Sequence, residues 1–142
     1  MKGTSFVAGW STVILSPDNE VEIRSLEPGK TYTFWNGESF LEGTVVEVER
    51  ALPTTIVTFD GGKTLFVNED AEFILSDGTK KLAKELKHAD MLEPWHNPNG
   101  ALDTVVVAST TPGPTIELWY MAEDSHETAM YNGVMITTGG VN

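Results

Sequence analysis

Two residues far apart in the chain have the types needed to cut a backbone without a cofactor. Ser5 opens the run Ser-Phe-Val-Ala-Gly-Trp-Ser-Thr-Val-Ile-Leu and carries a hydroxyl nucleophile. Such a hydroxyl is weak until its surroundings activate it. Asn142 ends the sequence, and its side-chain amide can close on its own carbonyl as a succinimide. No cysteine stands between them. That excludes disulfides, thiolate catalysis and cysteine-based zinc sites. His88, His96 and His126 are scattered without metal-ligand spacing, so neither a metal nor any other cofactor is expected.

Other chemistries fit poorly. The formal net charge is −12, from 9 Lys and Arg against 21 Asp and Glu, and such a chain repels phosphate backbones. Tyr32, Phe34, Trp35 and Phe40 therefore read as packing residues rather than a base-stacking surface. Glu47 and Glu49 share a strand face but have no partner acid pattern for glycoside hydrolysis. Asp60-Gly61-Gly62 is a turn with no following helix or Lys-Ser/Thr, so it is not a phosphate loop. The apolar runs are too short to span a bilayer, and Met1-Lys2-Gly3-Thr4 leads straight into a strand-like run, so neither a membrane contact nor a signal peptide is expected.

The intervening chain must position those two ends. Its 142 residues are 40% hydrophobic, enough for one domain with its own core. Almost every segment reads as a short strand closed by a turn. Expected strands cover Ser5–Ile14, Val21–Ile23, Tyr32–Trp35, Leu41–Glu49, Thr55–Phe59, Thr64–Val67, Phe73–Leu75, Val105–Ala108, Ile116–Ala122 and Val134–Ile136. Turns are expected at Asn36-Gly37, Asp60-Gly61-Gly62, Asp77-Gly78, Pro112-Gly113-Pro114 and Asn132-Gly133. Pro94–Gly100 is the most loop-like stretch and the place where a cut or insertion would be tolerated best. Only Ser25–Glu27, about one turn, and the short stretch Lys80–Leu86 have helical character. The expectation is an all-β sandwich or barrel-like fold.

A repeat runs through this pattern. Leu15 and Ser16 align with Leu75 and Ser76, Ile23 with Ala83, Leu26 with Leu86, and Gly29 with Ala89, always at the same offset and without a gap. Two copies at that spacing do not make a solenoid. They predict two related halves about a pseudo-two-fold axis.

The doubled all-β pattern resembles the Hint fold of inteins and hedgehog-type autoprocessing domains, over most of the chain. Ser5-Phe6-Val7-Ala8-Gly9 is similar to the first intein motif. Leu15–Tyr32 resembles its continuation, and Thr64–Ile74 lies where a Thr-x-x-His motif is expected. Asp77-Gly78, Leu82-Ala83, Leu86 and Asp90 resemble the segment after it. Glu123-Asp124-Ser125-His126, followed by Asn132-Gly133, resembles the late motif before the terminal Asn.

The resemblance implies a Hint β horseshoe over residues 5–142, with no homing endonuclease and with residues 1–4 as N-terminal flanking sequence. It implies a cysteine-less, serine-type mini-intein. Ser5 attacks the carbonyl of Thr4, a downstream nucleophile takes the acyl group, and Asn142 cyclises. Asn68 and Asp70 fall in the second motif, and His126 would help activate Asn142. The partners are the covalently attached flanking exteins, and a complementary fragment if the chain is the fused form of a split intein. A monomer is expected, in the cytoplasm with its host protein.

Three positions depart from the pattern. Asn68-Glu69-Asp70-Ala71 replaces Thr-x-x-His, so a methyl stands where a proton donor is usual. Trp119 stands where an Asp is usual and reads as a packing residue. Val141 precedes Asn142 in place of a histidine. Two alternatives stay open beside splicing. One is a non-catalytic or degenerate Hint-like module; the other is a hedgehog-like domain that cleaves only at Ser5.

Overall fold

The computed structural model describes residues 5–16, 19–35, 40–48, 50–96, 102–122, 128–132 and 134–137. Thr4, the Asn36-Gly37 turn, His126 and the segment 138–142, with Val141 and Asn142, lie outside the described residues.

The described chain is strand throughout, apart from turns and two single 3-10 turns. The strands are β1 (Val7–Ala8), β2 (Thr12–Ser16), β3 (Asn19–Glu22), β4 (Thr31–Trp35), β5 (Phe40–Glu47), β6 (Leu52–Phe59) and β7 (Thr64–Asn68). They continue with β8 (Glu72–Ile74), β9 (Lys80–Leu82), β10 (Met91–His96), β11 (Leu102–Ile116), β12 (Leu118–Ala122), β13 (Thr128–Tyr131) and β14 (Val134–Thr137). All strand pairings among the described residues are antiparallel. One sheet has the order β10-β11-β6-β7-β1-β12-β5-β4, a second β13-β14-β8-β9, and β2-β3 form a hairpin.

The sequence repeat is also a structural repeat. In the first half the N–H of Ser11 bonds to Ala8 C=O, Ile23 to Ser11 C=O, Arg24 to Gly9 C=O and Leu26 to Ile23 C=O. In the second half Ala71 bonds to Asn68, Ala83 to Ala71, Lys84 to Glu69 and Leu86 to Ala83. Each bond is its counterpart moved by one repeat length. The repeat therefore reaches back at least to Ala8 and Asn68, earlier than the side-chain types reveal. The long sheet follows the same symmetry. Val7 pairs with Val67, its own equivalent, at the centre of the sheet. From there the edges are reached through β12-β5-β4 on one side and β6-β11-β10 on the other.

The core lies between the halves and draws on both. Ile23 and Leu26 of the first half and Ala83 and Leu86 of the second are buried with Phe34, Phe73, Leu65, Leu92, Tyr131 and Ile136. Burying such side chains is worth about 1.5–3 kcal/mol each.

Several element boundaries differ from the sequence reading. Ser5–Ile14 is not one strand: the chain turns at Gly9-Trp10, where Ser11 N–H closes on Ala8 C=O. Gly9 makes that turn fit, since a Cβ there would lie 2.7 Å from Trp119 Cζ3 and 3.0 Å from Arg24 Cβ. The first helical stretch shifts to a 3-10 turn at Ile23–Ser25, and the second shrinks to one at Ala83–Glu85. Lys80–Leu82 is strand, because its hydrogen bonds are taken by β8. Pro112-Gly113-Pro114 does not interrupt the chain. β11 runs through it beside β6, with a register shift between Pro112 and Thr115 that absorbs the prolines' missing N–H groups. Gly113 lets the strands close there, as a Cβ would fall 2.8 Å from Ile56 Cγ1. Similarly β10 continues through Pro94 to His96 with a register shift between Leu92 and Trp95, so the start of the expected loop is strand.

Candidate functional site

Ser5 is fully buried two residues before β1. Its position follows from the central antiparallel pair. Because Val7 faces Val67, Phe6 faces Asn68, and the Asn68 N–H donates to Phe6 C=O at 3.2 Å. The reciprocal bond is not made between backbones, because Asn68 C=O accepts the Ala71 N–H at 3.0 Å to close the turn after β7. The Phe6 N–H goes to the side chain instead: Asn68 Oδ1 accepts it at 2.8 Å. An amide side chain thus extends the ladder by one rung, next to the peptide that carries the candidate nucleophile. A valine or leucine at residue 68 would fit the strand as well and would leave that N–H without this acceptor.

The Ser5 hydroxyl is held from the other side. Ser5 Oγ accepts the Glu72 N–H at 3.1 Å. A donor on this oxygen favours its charged form and orients its remaining lone pair and proton. The donor belongs to the backbone of β8, so it does not depend on the residue at position 71.

Ala71, where the motif predicts a histidine, is fully buried within the hydrophobic core. Its repeat equivalent, Ser11, is buried too. The position is interior in both halves, so the site is built from Asn68 and the backbone. Asp70, the other candidate in this motif, sits on the turn with its side chain half exposed. It pairs with Lys84, with Oδ1 3.0 Å from Nζ, rather than facing Ser5. That partner, aided by the nearby Glu69 and Glu85, raises the Lys84 ammonium above its ordinary value.

The other positions singled out in the sequence are placed as follows. Trp119 packs against the core from β12 and faces Val7 and Glu47. Phe34 is buried, while Phe40 is exposed and lies against Trp35 at 4.9 Å between ring centroids. His88 ties its turn to β11 through a 2.9 Å contact between Nδ1 and Ala108 C=O. No group of three or more His, Asp or Glu side chains able to hold a metal occurs among the described residues. No helix among them is long and apolar enough to cross a membrane.

One residue that the sequence reading placed in a turn and in the late motif makes long-range bonds which that reading did not foresee. Asn132 has φ +52° between β13 and β14, and its side chain bonds to both β2 and β7. Its Asn-Gly signature pointed to a hairpin, but the partners lie 120 and 68 residues away and only the tertiary structure reveals them.

Solved structures share this fold over nearly the whole chain. The DnaB intein of Synechocystis sp. PCC 6803 superposes with a TM-score of 0.80 at 16% identity, covering 95% of this chain and 99% of that one. The chain has the intein fold. The gp41-1 intein matches with a TM-score of 0.72 at 14% identity, covering 95% and 99%. A bacterial intein-like domain from Clostridium thermocellum matches with 0.69 at 20% identity and the same coverage. No family model and no curated protein matches the sequence. The intein fold is thus carried by the backbone pattern at an identity where residue types have largely diverged. Within it, Ser5 is buried two residues before β1 and Asn68 is at the end of β7.

Proposed function

We propose that this chain is a protein-splicing domain of the serine type. The observation that carries the reading is the double restraint at Ser5: Oγ held by the Glu72 N–H at 3.1 Å, and the following amide held by Asn68 Oδ1 at 2.8 Å. This fixes the nucleophile and the adjoining peptide relative to each other within a buried site.

In the first step Oγ attacks the carbonyl carbon of Thr4. The Oγ–C bond forms, the C–N bond to Ser5 breaks, and the hydroxyl proton ends on the released Ser5 amine. The amide becomes an ester, which is the less stable linkage, so strain and oxyanion stabilisation must favour the shift. A side-chain nucleophile following Asn142 then takes the acyl group. The Asn142 amide nitrogen attacks its own carbonyl carbon, releasing the domain as a succinimide, with His126 as the proton-transfer group. The exteins are the covalent partners, a complementary fragment would be one only for a split form, and the domain works as a monomer wherever its host protein resides.

Asp70 remains a candidate for this first junction only through its pairing with Lys84. The buried methyl of Ala71 favours the second reading, a Hint-like module without catalysis. A single assay separates them. Residues 1–142 are placed between two reporter proteins with a serine, threonine or cysteine after Asn142, and the products are weighed. Splicing yields ligated reporters. Ser5→Ala abolishes ligation and N-terminal cleavage, whereas Asn142→Ala blocks only the release at the second junction. Hydroxylamine-enhanced cleavage at Ser5 without ligation indicates a hedgehog-like domain, and an intact parent precursor sinks the catalytic reading.

A further inference from the structure

We infer that Asn132 is a positioning residue for the second junction, a latch whose side chain docks the hairpin leading to Asn142 against the first residues of β2 and β7. The assignment to a junction rests on the splicing reading; the latch itself rests on geometry.

Asn132 makes contacts to two distant segments at once. Its N–H donates to Thr12 C=O at 3.0 Å. Its Oδ1 accepts the Thr12 N–H at 2.7 Å, and its Nδ2 donates to Thr64 C=O at 3.1 Å. Thr12 Oγ1 also lies 3.1 Å from Oδ1, but its one proton is directed to Glu20 Oε1 at 2.5 Å. The turn of β13–β14 is thereby joined to the first residue of β2 and the first residue of β7. The φ of +52° needed to aim both the backbone and the side chain at Thr12 is one that asparagine adopts more readily than other non-glycine residues.

The repeat gives this latch its meaning. Thr12 and Glu72 are equivalents, one in each half. Both N–H groups, at the starts of β2 and β8, donate to a side-chain oxygen supplied from outside their own half-repeat. For Glu72 the oxygen is Ser5 Oγ, and for Thr12 it is Asn132 Oδ1. The fold therefore uses one pseudo-symmetric pair of amides to seat two segments: the one bearing the first nucleophile and the one running on to Asn142. The hairpin is held elsewhere as well. Ile136 pairs with Phe73, next to Glu72, and the buried Tyr131 hydroxyl accepts the Met121 N–H at 3.0 Å. Asn132 joins it to β2 and β7 through a side chain whose removal spares the hairpin's apolar core.

The test uses the full chain between reporters and compares Asn132→Gly and Asn132→Asp with the parent. Glycine accepts the positive φ and deletes only the side-chain bonds. Aspartate keeps the acceptor for Thr12 and loses the donor to Thr64. We expect Asn132→Gly to leave hydroxylamine-induced cleavage at Ser5 within about two-fold and to slow release at Asn142 about ten-fold or more, as a displaced reacting group does. Asn132→Asp falls between. Amide hydrogen exchange supplies a readout independent of cleavage: in Asn132→Gly, residues Val134–Thr137 lose protection while β6 and β7 keep theirs. Unchanged release at Asn142, or parallel slowing of both junctions with protection lost throughout, overturns the inference. A parent that cleaves at neither junction overturns the splicing reading and the junction role with it. Unaltered protection at Val134–Thr137 in Asn132→Gly overturns the latch.

Discussion

Val7 faces Val67 across the β1–β7 pair, and each is the other's repeat equivalent. Two equivalent residues can oppose one another in an antiparallel pair only where the local two-fold axis passes between them. The candidate first junction is therefore built beside the symmetry axis of the fold. The two halves differ in side-chain chemistry close to this axis: Ala8 and Ser11 on one side correspond to Asn68 and Ala71 on the other.

Asn68 is the side chain through which that asymmetry reaches Ser5. Asn68→Ala removes the acceptor for the Phe6 N–H, at a cost of about 1 kcal/mol of stability. It is expected to slow N-terminal cleavage about ten-fold or more through loss of alignment. Asp70→Asn is expected to change the same rate less, because this carboxylate faces Lys84 and solvent. Rates of hydroxylamine-induced cleavage in the two variants provide the comparison. An Asp70→Asn effect equal to that of Asn68→Ala would assign the carboxylate a role that its pairing does not suggest.

Ala71→His places the residue of the usual motif into a fully buried core position. Overpacking of this kind costs about 1–3 kcal/mol. The expected outcome is a lower thermal midpoint, with no gain in N-terminal cleavage unless neighbouring core residues are reduced in size. Paired melting and cleavage measurements check this. A gain in rate with unchanged melting would mean that the imidazole finds room toward Ser5.

Ala89 has φ +74°, while its equivalent in the first half is Gly29 with φ +84°. A Cβ in this region is strained, so Ala89→Gly is expected to relieve about 1 kcal/mol, partly offset by the greater freedom of glycine in the unfolded chain. A urea midpoint above that of the parent is the expected result, and splicing should be unaffected.

Asp90 gives the domain a predictable acid limb. Burial pushes its carboxyl up, but the Lys87 N–H at 2.8 Å and the Lys81 ammonium at 3.1 Å outweigh this and hold it below the usual range. A carboxyl lowered in the folded state contributes stability that is fully present above its unfolded value, near about 3.9. That contribution is lost as pH falls through the lower folded value. Asp90→Asn should therefore lower the melting midpoint at pH 7, and the difference from the parent should shrink below about pH 4. A difference that is constant with pH would assign the effect to packing.

The sequence alone determined the class of the fold and its duplication. Alternating β-branched runs closed by Asn-Gly and Asp-Gly specify strands and turns locally, and the spacing of Leu15, Ile23, Leu26 and Gly29 against Leu75, Ala83, Leu86 and Ala89 exposes the repeat. Ser5 was legible as a candidate nucleophile from its type and its place in the first motif. The tertiary structure decided where strands stop, because boundaries depend on partners. The ladder with β6 carries β11 through two prolines, and the contacts of Ala8 and Trp119 fold Ser5–Ile14 into strand, turn and strand. It also decided which distant polar groups meet. The bonds from Glu72 N–H to Ser5, from Phe6 N–H to Asn68 and from Thr12 N–H to Asn132 bridge 62 to 120 residues of chain. No local preference encodes such distances; the pairing of Val7 with Val67 does, by bringing the two halves into register.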